Sequence, residues 1–332
     1  MPSQKIDLKS PVSSLDPVGL GNLLIVYLVW SSTYLAIRIA VREGAGFPPF
    51  TMGFMRAALA GILLLAWGWL RGERMQLTRR EFLTLAASGL LLWLGGNGLV
   101  TFAEQRTDSG LAALMVAASP IWAALLEAMV DRRLPSLQLV LALTIGFGGI
   151  ALLTAPALMT GVRADAIAIL ALIGAPLTWA SGSVLQARRP VAHSPRTSSA
   201  YQMAFGAVGF AIVVLLLNEP LPTPTQEAWL AWGYLVVFGS LFAFTAYVTA
   251  LRLLPTRIVM TYAYVNPVLA VLLGYLVLGE TITGWTIVGT ALVLLGVAGV
   301  FRERQQLKQA NKDAEAQVSK PVLDIEIGPH ST

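Results

Sequence analysis

The chain lacks cysteine altogether and carries few charged residues. Without cysteine, it can form neither a disulfide nor a thiolate metal site. Charged residues make up 12% of its 332 residues, against roughly 25% in an ordinary soluble domain, whereas 56% are hydrophobic. So few charges cannot cover a water-facing surface, and the mean hydropathy of +0.69 agrees. The composition therefore predicts a protein that lies in a lipid bilayer.

Residues that carry enzyme chemistry are also scarce. Histidine occurs twice, at His193 and His330, and neither lies in an HExxH or similar metal-binding pattern. The sequence shows no Ser–His–Asp set, no paired aspartates and no phosphate-binding glycine loop. The basic residues lie between apolar runs and do not form a nucleic-acid-binding patch. We therefore expect no enzyme activity, no cofactor, no metal and no nucleic-acid partner.

Apolar runs long enough to cross a membrane dominate the chain. A bilayer has no partners for a bare backbone, so each run must form its own hydrogen bonds as a helix. A barrel would show alternating apolar residues, which are absent. The sequence therefore predicts an all-α membrane protein with ten transmembrane helices. The ten runs are Leu20–Val41, Phe50–Leu70, Leu83–Phe102, Leu111–Val130, Leu137–Leu153, Ala164–Leu185, Tyr201–Leu217, Trp229–Leu251, Ile258–Leu278 and Trp285–Phe301.

The distribution of Lys and Arg predicts the orientation. If both termini lie in the cytoplasm, 18 of the 23 basic residues fall inside and three outside, and Arg38 and Arg56 lie within runs. This bias fits the positive-inside rule. Residues 1–19 contain no apolar stretch typical of a signal peptide, so we expect a cytoplasmic N-terminal segment. Residues 302–332 are polar and of mixed charge, which predicts a disordered cytoplasmic tail.

The two halves of the chain resemble each other weakly. An offset of 147 residues places Pro120 on Pro267 and Gly149 on Gly296, and an offset of 149 places Trp30 on Trp179. Each half, 20–153 and 164–301, contains five predicted helices. Because five is odd, the second half would enter the membrane from the opposite side. Such inverted repeats are common in secondary transporters, whose substrate site lies between the halves.

Three stretches resemble the EamA-type family of drug/metabolite transporters: WSSTYLAIRIAV, RTDSGLAALMVAASPIWAALLEA and YAYVNPVLAVLLGYLVLGETITGWTIVGTALVLLGV. Among its members, the chain looks most similar to bacterial amino-acid exporters of the YddG kind. The resemblance implies two inverted five-helix repeats, with the first four helices of each around a cavity and the fifth peripheral. It also implies a monomer or weak homodimer in the bacterial inner membrane that exports amino acids by alternating access.

Several polar and aromatic residues lie near the middle of predicted helices. Membrane tryptophans usually gather at the interfaces, and an arginine within the membrane is a functional candidate. Such residues either face a cavity or form hydrogen bonds between helices, and Arg56 could instead extend its side chain to the membrane surface. Arg38, near the end of its helix, is expected to do so. The candidate cavity residues are Trp30, Tyr34, Arg56, Trp93, Asn97, Trp179, Ser183, Tyr262 and Asn266.

Pro120 and Pro267 lie near the midpoints of their runs. A proline inside a helix removes one hydrogen bond, so these two residues are either hinges beside the cavity or static kinks. The predicted function is export of amino acids, mainly aromatic and other neutral ones, and related metabolites. A membrane scaffold or sensor and a carrier of another metabolite class, such as phosphorylated sugars, are the alternatives. Because Asp and Glu are absent from the middle third of every run, we expect a facilitator rather than a proton-coupled antiporter.

Overall fold

A computed structural model describes residues 16–107, 109–159, 166–269 and 284–318, and every regular element in these ranges is a helix. Parts of four predicted segments lie outside them: residues 1–15, 164–165 of the sixth run, 270–278 of the ninth run, and 319–332. The helices, in chain order, are α1 Pro17–Val41, α2 Pro49–Leu70, α3 Arg79–Glu104, α4 Ser109–Val116, α5 Ser119–Asp131, α6 Leu137–Met159, α7 Ala166–Arg188, α8 Pro195–Leu217, α9 Gln226–Leu253, α10 Thr256–Val259, α11 262–269 and α12 Gly284–Val318.

Six of these helices are long and apolar enough to cross a membrane: α1, α2, α3, α7, α8 and α9. Of the other four predicted spans, the fourth is divided between α4 and α5 and the ninth between α10 and α11. The fifth lies in α6, whose apolar part is Leu137–Leu152, and the tenth lies in α12. The all-helical class is thus confirmed for the described residues, and six of the ten spans meet the criteria of length and composition.

The outer surface of the bundle is apolar. Leu28, Ile62, Leu170 and Leu215 are all more than half exposed, at 56%, 62%, 67% and 76%. Exposed apolar side chains on this scale would aggregate in water, whereas hydrocarbon solvates them. The surface therefore fits a protein embedded in lipid.

Two of the long helices contain a π-helical segment: Leu90–Gly98 in α3 and Leu235–Phe242 in α9. π-Helical turns are rare and often occur at functional sites. In α9, the Ser240 hydroxyl donates to the Leu235 carbonyl five residues earlier, at 3.0 Å. Both segments place residues in the lining of the central cavity described below, Trp93, Gly96 and Asn97 from the first and Gly239 from the second.

Each of the two midpoint prolines follows an interruption of its helix, by two residues for Pro120 and by six for Pro267. The first interruption, at Ala117–Ala118, separates α4 from α5. Pro120 lies in the first turn of α5, where a missing N–H costs no hydrogen bond. The second interruption, at 260–261, precedes α11, and Pro267 lies within α11. The chain therefore breaks on the N-terminal side of each proline rather than at it.

Helices α2 and α8 pack against each other in opposite directions, and a glutamate that follows each helix binds the first turn of the other. Glu219, which follows α8, accepts hydrogen bonds from the Phe50 and Thr51 backbone amides at 3.1 and 2.7 Å and from the Thr51 hydroxyl at 2.7 Å. Glu73, which follows α2, accepts hydrogen bonds from the Ser194 and Thr197 hydroxyls at the start of α8. A carboxylate at a helix N-terminus compensates the positive end of the helix dipole.

Glu73 lies in the loop between α2 and α3, where its charge is well supported. Partial desolvation raises the pKa of its carboxyl. The hydrogen bonds from Ser194 and Thr197 and the nearby Arg196 guanidinium, 3.3 Å away, outweigh this and lower the pKa below its ordinary value. Glu73 is therefore ionised at neutral pH and ties the first half of the chain to the second.

Helices α6 and α12 form a separate pair at the side of the bundle. Equivalent glycines permit their close approach, because a Cβ on Gly149 would lie 2.6 Å from the Val293 nitrogen and one on Gly296 would lie 2.5 Å from the Gly146 Cα. Helix α12 continues to Val318, although the sequence predicted a disordered tail from residue 302. At this end Glu303 is buried and accepts hydrogen bonds from Arg257 and Ser136, at 2.8 and 3.0 Å.

Candidate substrate cavity

A cavity lies in the middle of the bundle and is lined by residues of both halves. Its volume is about 60 Å³, enough space for several water molecules. Among the described helices, α5, α6, α8, α10 and α12 contribute no lining residue, so the predicted place of the seventh span, α8, beside the cavity does not hold for this lining. The lining residues are Trp30, Thr33, Tyr34 and Ile37 of α1, Arg56 of α2, Trp93, Gly96, Asn97 and Val100 of α3, Val116 of α4, Ala175, Pro176 and Trp179 of α7, Gly239 and Phe244 of α9, and Tyr262 of α11.

Seven of the nine residues selected from the sequence line this cavity: Trp30, Tyr34, Arg56, Trp93, Asn97, Trp179 and Tyr262. The other two lie outside the lining. The Ser183 hydroxyl is fully buried and contacts the Trp179 carbonyl and the Tyr247 hydroxyl. The Asn266 amide is buried and, in the orientation that satisfies it, donates to the carbonyls of Tyr262 and Tyr27. These two residues therefore join helices around the cavity.

An aromatic cluster closes the cavity towards the end of the bundle where α1 begins, here called the Pro17 end. The cluster consists of Trp30, Trp179, Tyr247 and Tyr262. The Trp30 ring centroid lies 5.3 Å from that of Trp179 and 5.0 Å from those of both tyrosines. One turn nearer the Pro17 end, the Tyr27 and Thr261 hydroxyls are 2.6 Å apart. At the Pro17 end, water and solutes would have to displace this cluster to reach the cavity.

Polar groups of the cluster pair with each other and with the π-helical segment of α9. The Trp30 indole N–H donates to the Gly239 carbonyl at 3.1 Å, and the Trp179 indole N–H donates to the Tyr247 hydroxyl at 3.0 Å. Gly239 belongs to the π-helical segment, which places its carbonyl beside α1. A buried indole N–H without an acceptor is costly, so these bonds fix both rings in place.

Arg56 is buried, 2% exposed, and lines the cavity, so its side chain does not extend to the membrane surface. Its Nε donates to the Ser240 hydroxyl at 2.8 Å, and its Nη1 approaches the Asn97 side-chain oxygen at 3.4 Å. The guanidinium carbon lies 5.3 Å from the centroid of the Trp93 ring, a cation–π distance. Ser240 and Asn97 are neutral, so none of these contacts compensates the positive charge.

A second buried ionisable group lies beyond the opposite end of the cavity, where α1 finishes, and is not one of the lining residues. Glu104, the last residue of α3, is fully buried, and its carboxylate oxygens accept no hydrogen bond from the described residues. Arg38 donates to the backbone carbonyl of Glu104 and so links α1 to α3. The sequence predicted that Arg38 extends to the membrane surface. In the structure, its guanidinium forms a hydrogen bond that joins α1 to α3.

Sequence reasoning missed Tyr247, Ser240 and Gly239, which shape the cavity through hydrogen bonds. Their helix, α9, showed no midpoint tryptophan or proline to attract attention. The spacing of Ser240 and Tyr247 could have indicated them, because polar residues seven positions apart lie on one face of an α-helix. Pro176 was also missed, although it lies in the middle of the predicted sixth helix and lines the cavity. In the described part of the chain, His, Asp and Glu form no cluster suited to a metal.

Comparison with known proteins connects this architecture to a family. The sequence model of the EamA-like transporter family matches the chain twice, at residues 18–155 and 166–302. The chain is 37% identical over 285 residues to the "Uncharacterized inner membrane transporter YedA" of Escherichia coli K12, covering 83% of this chain and 90% of that protein. It is 21% identical over 279 residues to the "Uncharacterized transporter YoaV" of Bacillus subtilis, covering 83% and 94%.

A solved crystal structure shares the fold, with a TM-score of 0.71 at 22% identity over 89% of this chain and 99% of that one. The double match of the family model also shows that the weak internal repeat is a repeat of one family domain. Because this model covers both halves and a relative above 30% identity covers most of the chain, the protein belongs to the EamA-like transporter family of membrane transporters for small molecules.

Proposed function

We propose that this protein exports amino acids, mainly aromatic and other neutral ones, and related small metabolites across the bacterial inner membrane. The observation that carries this proposal is the cavity between the two halves, closed at one end by Trp30, Trp179, Tyr247 and Tyr262. Aromatic walls suit apolar and aromatic side chains, whereas Asn97 and Arg56 provide polar groups for the charged end of an amino acid.

The proposed architecture is a pair of inverted five-helix repeats. Two equivalent hydrogen bonds support it, because the Thr51 hydroxyl donates to Glu219 and the Thr197 hydroxyl donates to Glu73. The two threonines are 146 residues apart (197 − 51), and so are the two glutamates (219 − 73). Equivalent residues thus make the same contact at opposite ends of the bundle, as an inverted repeat requires.

Transport then proceeds by alternating access. In the state described here, the aromatic cluster blocks the Pro17 end, which the proposed topology places in the cytoplasm. Release of the Tyr27–Thr261 contact and separation of α1 from α10 and α11 would open this end. The interruptions that precede Pro120 and Pro267 are the proposed hinges, because a chain break in a helix bends at little cost.

Two alternatives receive less support. A scaffold or sensor has no need of a central cavity with unpaired polar groups. A carrier of phosphorylated or nucleotide sugars would need several cationic groups to hold phosphate oxygens. Arg56 is the one cation in the described lining of the cavity.

Transport into proteoliposomes tests the proposal. We expect purified protein to move radiolabelled phenylalanine, tyrosine or leucine faster than protein-free liposomes do, and Trp179→Ala to slow this movement. A protein-specific flux of sugar phosphates without any flux of amino acids would assign the chain to the other carrier class. The absence of any flux from a broad panel would favour the scaffold.

A further inference from the structure

The charge of Arg56 bears directly on the substrate. Arginine stays protonated in proteins, so its charge is permanent. A buried charge is costly unless an opposite charge compensates it. Yet the side chain is 2% exposed and contacts neutral acceptors, the Ser240 hydroxyl and the Asn97 amide oxygen. The cavity lining contains no Asp or Glu among the described residues, and the buried Glu104 lies outside it, one turn beyond Val100. The described cavity therefore carries one uncompensated positive charge.

The cavity also has more hydrogen-bond donors than acceptors. A guanidinium has five N–H groups, and two of those of Arg56 meet acceptors among the described residues. The buried indole N–H of Trp93, whose ring lies next to the Arg56 guanidinium, has no acceptor either. The nearby Gly239 carbonyl already accepts the Trp30 indole N–H. Unused donors around a cation suit a ligand that offers acceptor oxygens and a negative charge.

We propose that the cavity takes an organic monoanion, a carboxylate on an apolar or aromatic body, in preference to a zwitterion of the same size. This inference rests on the proposed function, whose substrate class it narrows. A carboxylate beside Arg56 neutralises the site and uses its free donors. An α-ammonium group would bring a second positive charge, for which the described lining offers no carboxylate. Amino acids would then be the poorer members of the substrate range, and 2-hydroxy or N-acylated acids the better ones.

The net charge of the substrate has an energetic consequence. Each transport cycle carries the one negative charge of the substrate out of the cell. The protein returns to its starting state after the cycle, so its own charges add nothing to the net movement. An inside-negative membrane potential therefore drives export by roughly fiftyfold per 100 mV, without any coupling ion. A facilitator could in this way remove a metabolic acid against its concentration gradient. A zwitterion carries no net charge and gains nothing from the potential.

Three ligands of nearly equal size separate the charge classes: 3-phenyllactate carries one negative charge, phenylalanine none and phenylalaninamide one positive charge. We would measure their competition for radiolabelled phenyllactate on the full chain in nanodiscs, in chloride-free buffer. Phenyllactate should bind about tenfold or more tightly than phenylalanine, and phenylalaninamide should not compete. Tighter binding of phenylalanine than of phenyllactate would overturn the inference and leave amino-acid export standing. If none of the three binds, the proposed aromatic substrates are wrong and the inference fails with them.

Variants at position 56 show whether the arginine causes the preference. Arg56→Gln should abolish the preference for phenyllactate, and Arg56→Lys should keep part of it, because lysine retains the charge and loses the two-pronged geometry. Arg42→Gln, at an exposed arginine, is the control and should bind like the parent protein. The melting temperature of Arg56→Gln should equal or exceed that of the parent, since it removes an uncompensated buried charge. A lower melting temperature with an unchanged preference would assign Arg56 to packing alone and overturn the inference.

Proteoliposomes with a potassium diffusion potential test the charge movement. Protein-dependent phenyllactate flux should accelerate towards the positive side and reverse when the potential is reversed, whereas phenylalanine flux should not respond. Protein-free liposomes correct for passive leakage of the acid. Phenyllactate flux that ignores the potential would show that another charge moves with the substrate, and the electrogenic part of the inference would be wrong.

Discussion

Trp30 and Trp179 meet edge to face, with ring centroids 5.3 Å apart and ring planes at 80°. The two residues are 149 positions apart and occupy equivalent places in the two halves of the chain. Each half therefore contributes the same side chain to the aromatic cluster that closes the cavity. An edge-to-face pair adds about 0.5–1.5 kcal/mol beyond the burial of its area, so the contact can hold the closed end and still break in each cycle.

Removal of either tryptophan should impair transport. Trp30→Ala or Trp179→Ala opens a void in the cluster and frees the hydrogen-bond partner of the lost indole, so we expect a loss of transport rate of about tenfold. Trp69→Ala is the control, because Trp69 is 71% exposed at the end of α2. Initial rates of radiolabelled amino-acid flux provide the measurement. Equal losses for all three variants would argue against a role of the cluster in transport.

The capping of α2 by Glu219 should contribute to stability. Glu219→Gln weakens three hydrogen bonds at a helix N-terminus, and we expect a cost of about 1–3 kcal/mol. Glu227→Gln is the matched control, since Glu227 pairs with Arg42 at the surface, where both side chains are more than half exposed and the pair contributes about 0–1 kcal/mol. Thermal unfolding in one detergent compares the two. A larger effect of Glu227→Gln would contradict the assignment.

Much of the helical layout follows from hydropathy, whereas the details of the cavity do not. The runs Leu20–Val41 and Phe50–Leu70 predicted α1 and α2 within three residues at each end, because an apolar run needs a helix of bilayer length. Trp30 was predicted to face the cavity because it lies far from both membrane–water interfaces, where tryptophans usually gather. The π-helical segment Leu90–Gly98 could not be predicted, because hydropathy does not report which carbonyl each amide chooses.

The sequence also does not predict which partners individual side chains contact. Ser183 resembles a cavity residue in sequence, yet its hydroxyl pairs with Tyr247 of another helix, a contact that depends on how α7 and α9 rotate. Glu104 has the sequence position of a helix-end carboxylate exposed to water. Its full burial depends on the neighbouring helices, which cover the end of α3. Tertiary packing, rather than local pattern, decides both cases.

Close packing at Gly96 should be essential for the cavity. A Cβ on Gly96 would lie 2.5 Å from the Cε3 atom of Trp179, so Gly96→Ala has to displace this ring. We expect impaired transport and a destabilisation of about 1–3 kcal/mol. Gly233→Ala is the control, because nothing lies within 4 Å of its added Cβ. In a helix this change should be neutral or stabilising by up to about 1 kcal/mol. Full activity of Gly96→Ala would contradict the described position of Trp179.

The orientation of the chain is open to a direct test. Since most basic residues fall on one side, we expect both termini in the cytoplasm. Alkaline phosphatase, which is active outside the cytoplasm, should therefore be inactive when fused after Val318 and active when fused in the 218–225 loop. The reversed pattern would invert the orientation, and activity at both sites would contradict the even number of spans.

Energy coupling is the last question that the structure makes testable. We expect a facilitator, in which flux follows the electrochemical gradient of the substrate, because a pH gradient can drive transport only through a group that gains and loses a proton during the cycle. Glu104 is the described residue best placed to do so. It is fully buried, its carboxylate has no hydrogen-bond partner among the described residues, and Arg38 donates to its backbone carbonyl rather than to its carboxylate. It lies one turn beyond Val100, at the edge of the cavity lining.

In proteoliposomes without a membrane potential, a pH gradient alone should therefore not concentrate phenylalanine beyond equilibrium, once the uptake by protein-free liposomes is subtracted. Glu104→Gln, which keeps the shape of the side chain and cannot titrate, should exchange phenylalanine at about the rate of the parent protein. Several-fold accumulation that a protonophore abolishes would contradict the facilitator. If Glu104→Gln then lost this accumulation but kept exchange, Glu104 would be the proton-binding group. Exchange requires the substrate site alone, whereas accumulation also requires a group that binds a proton on one side of the membrane and releases it on the other.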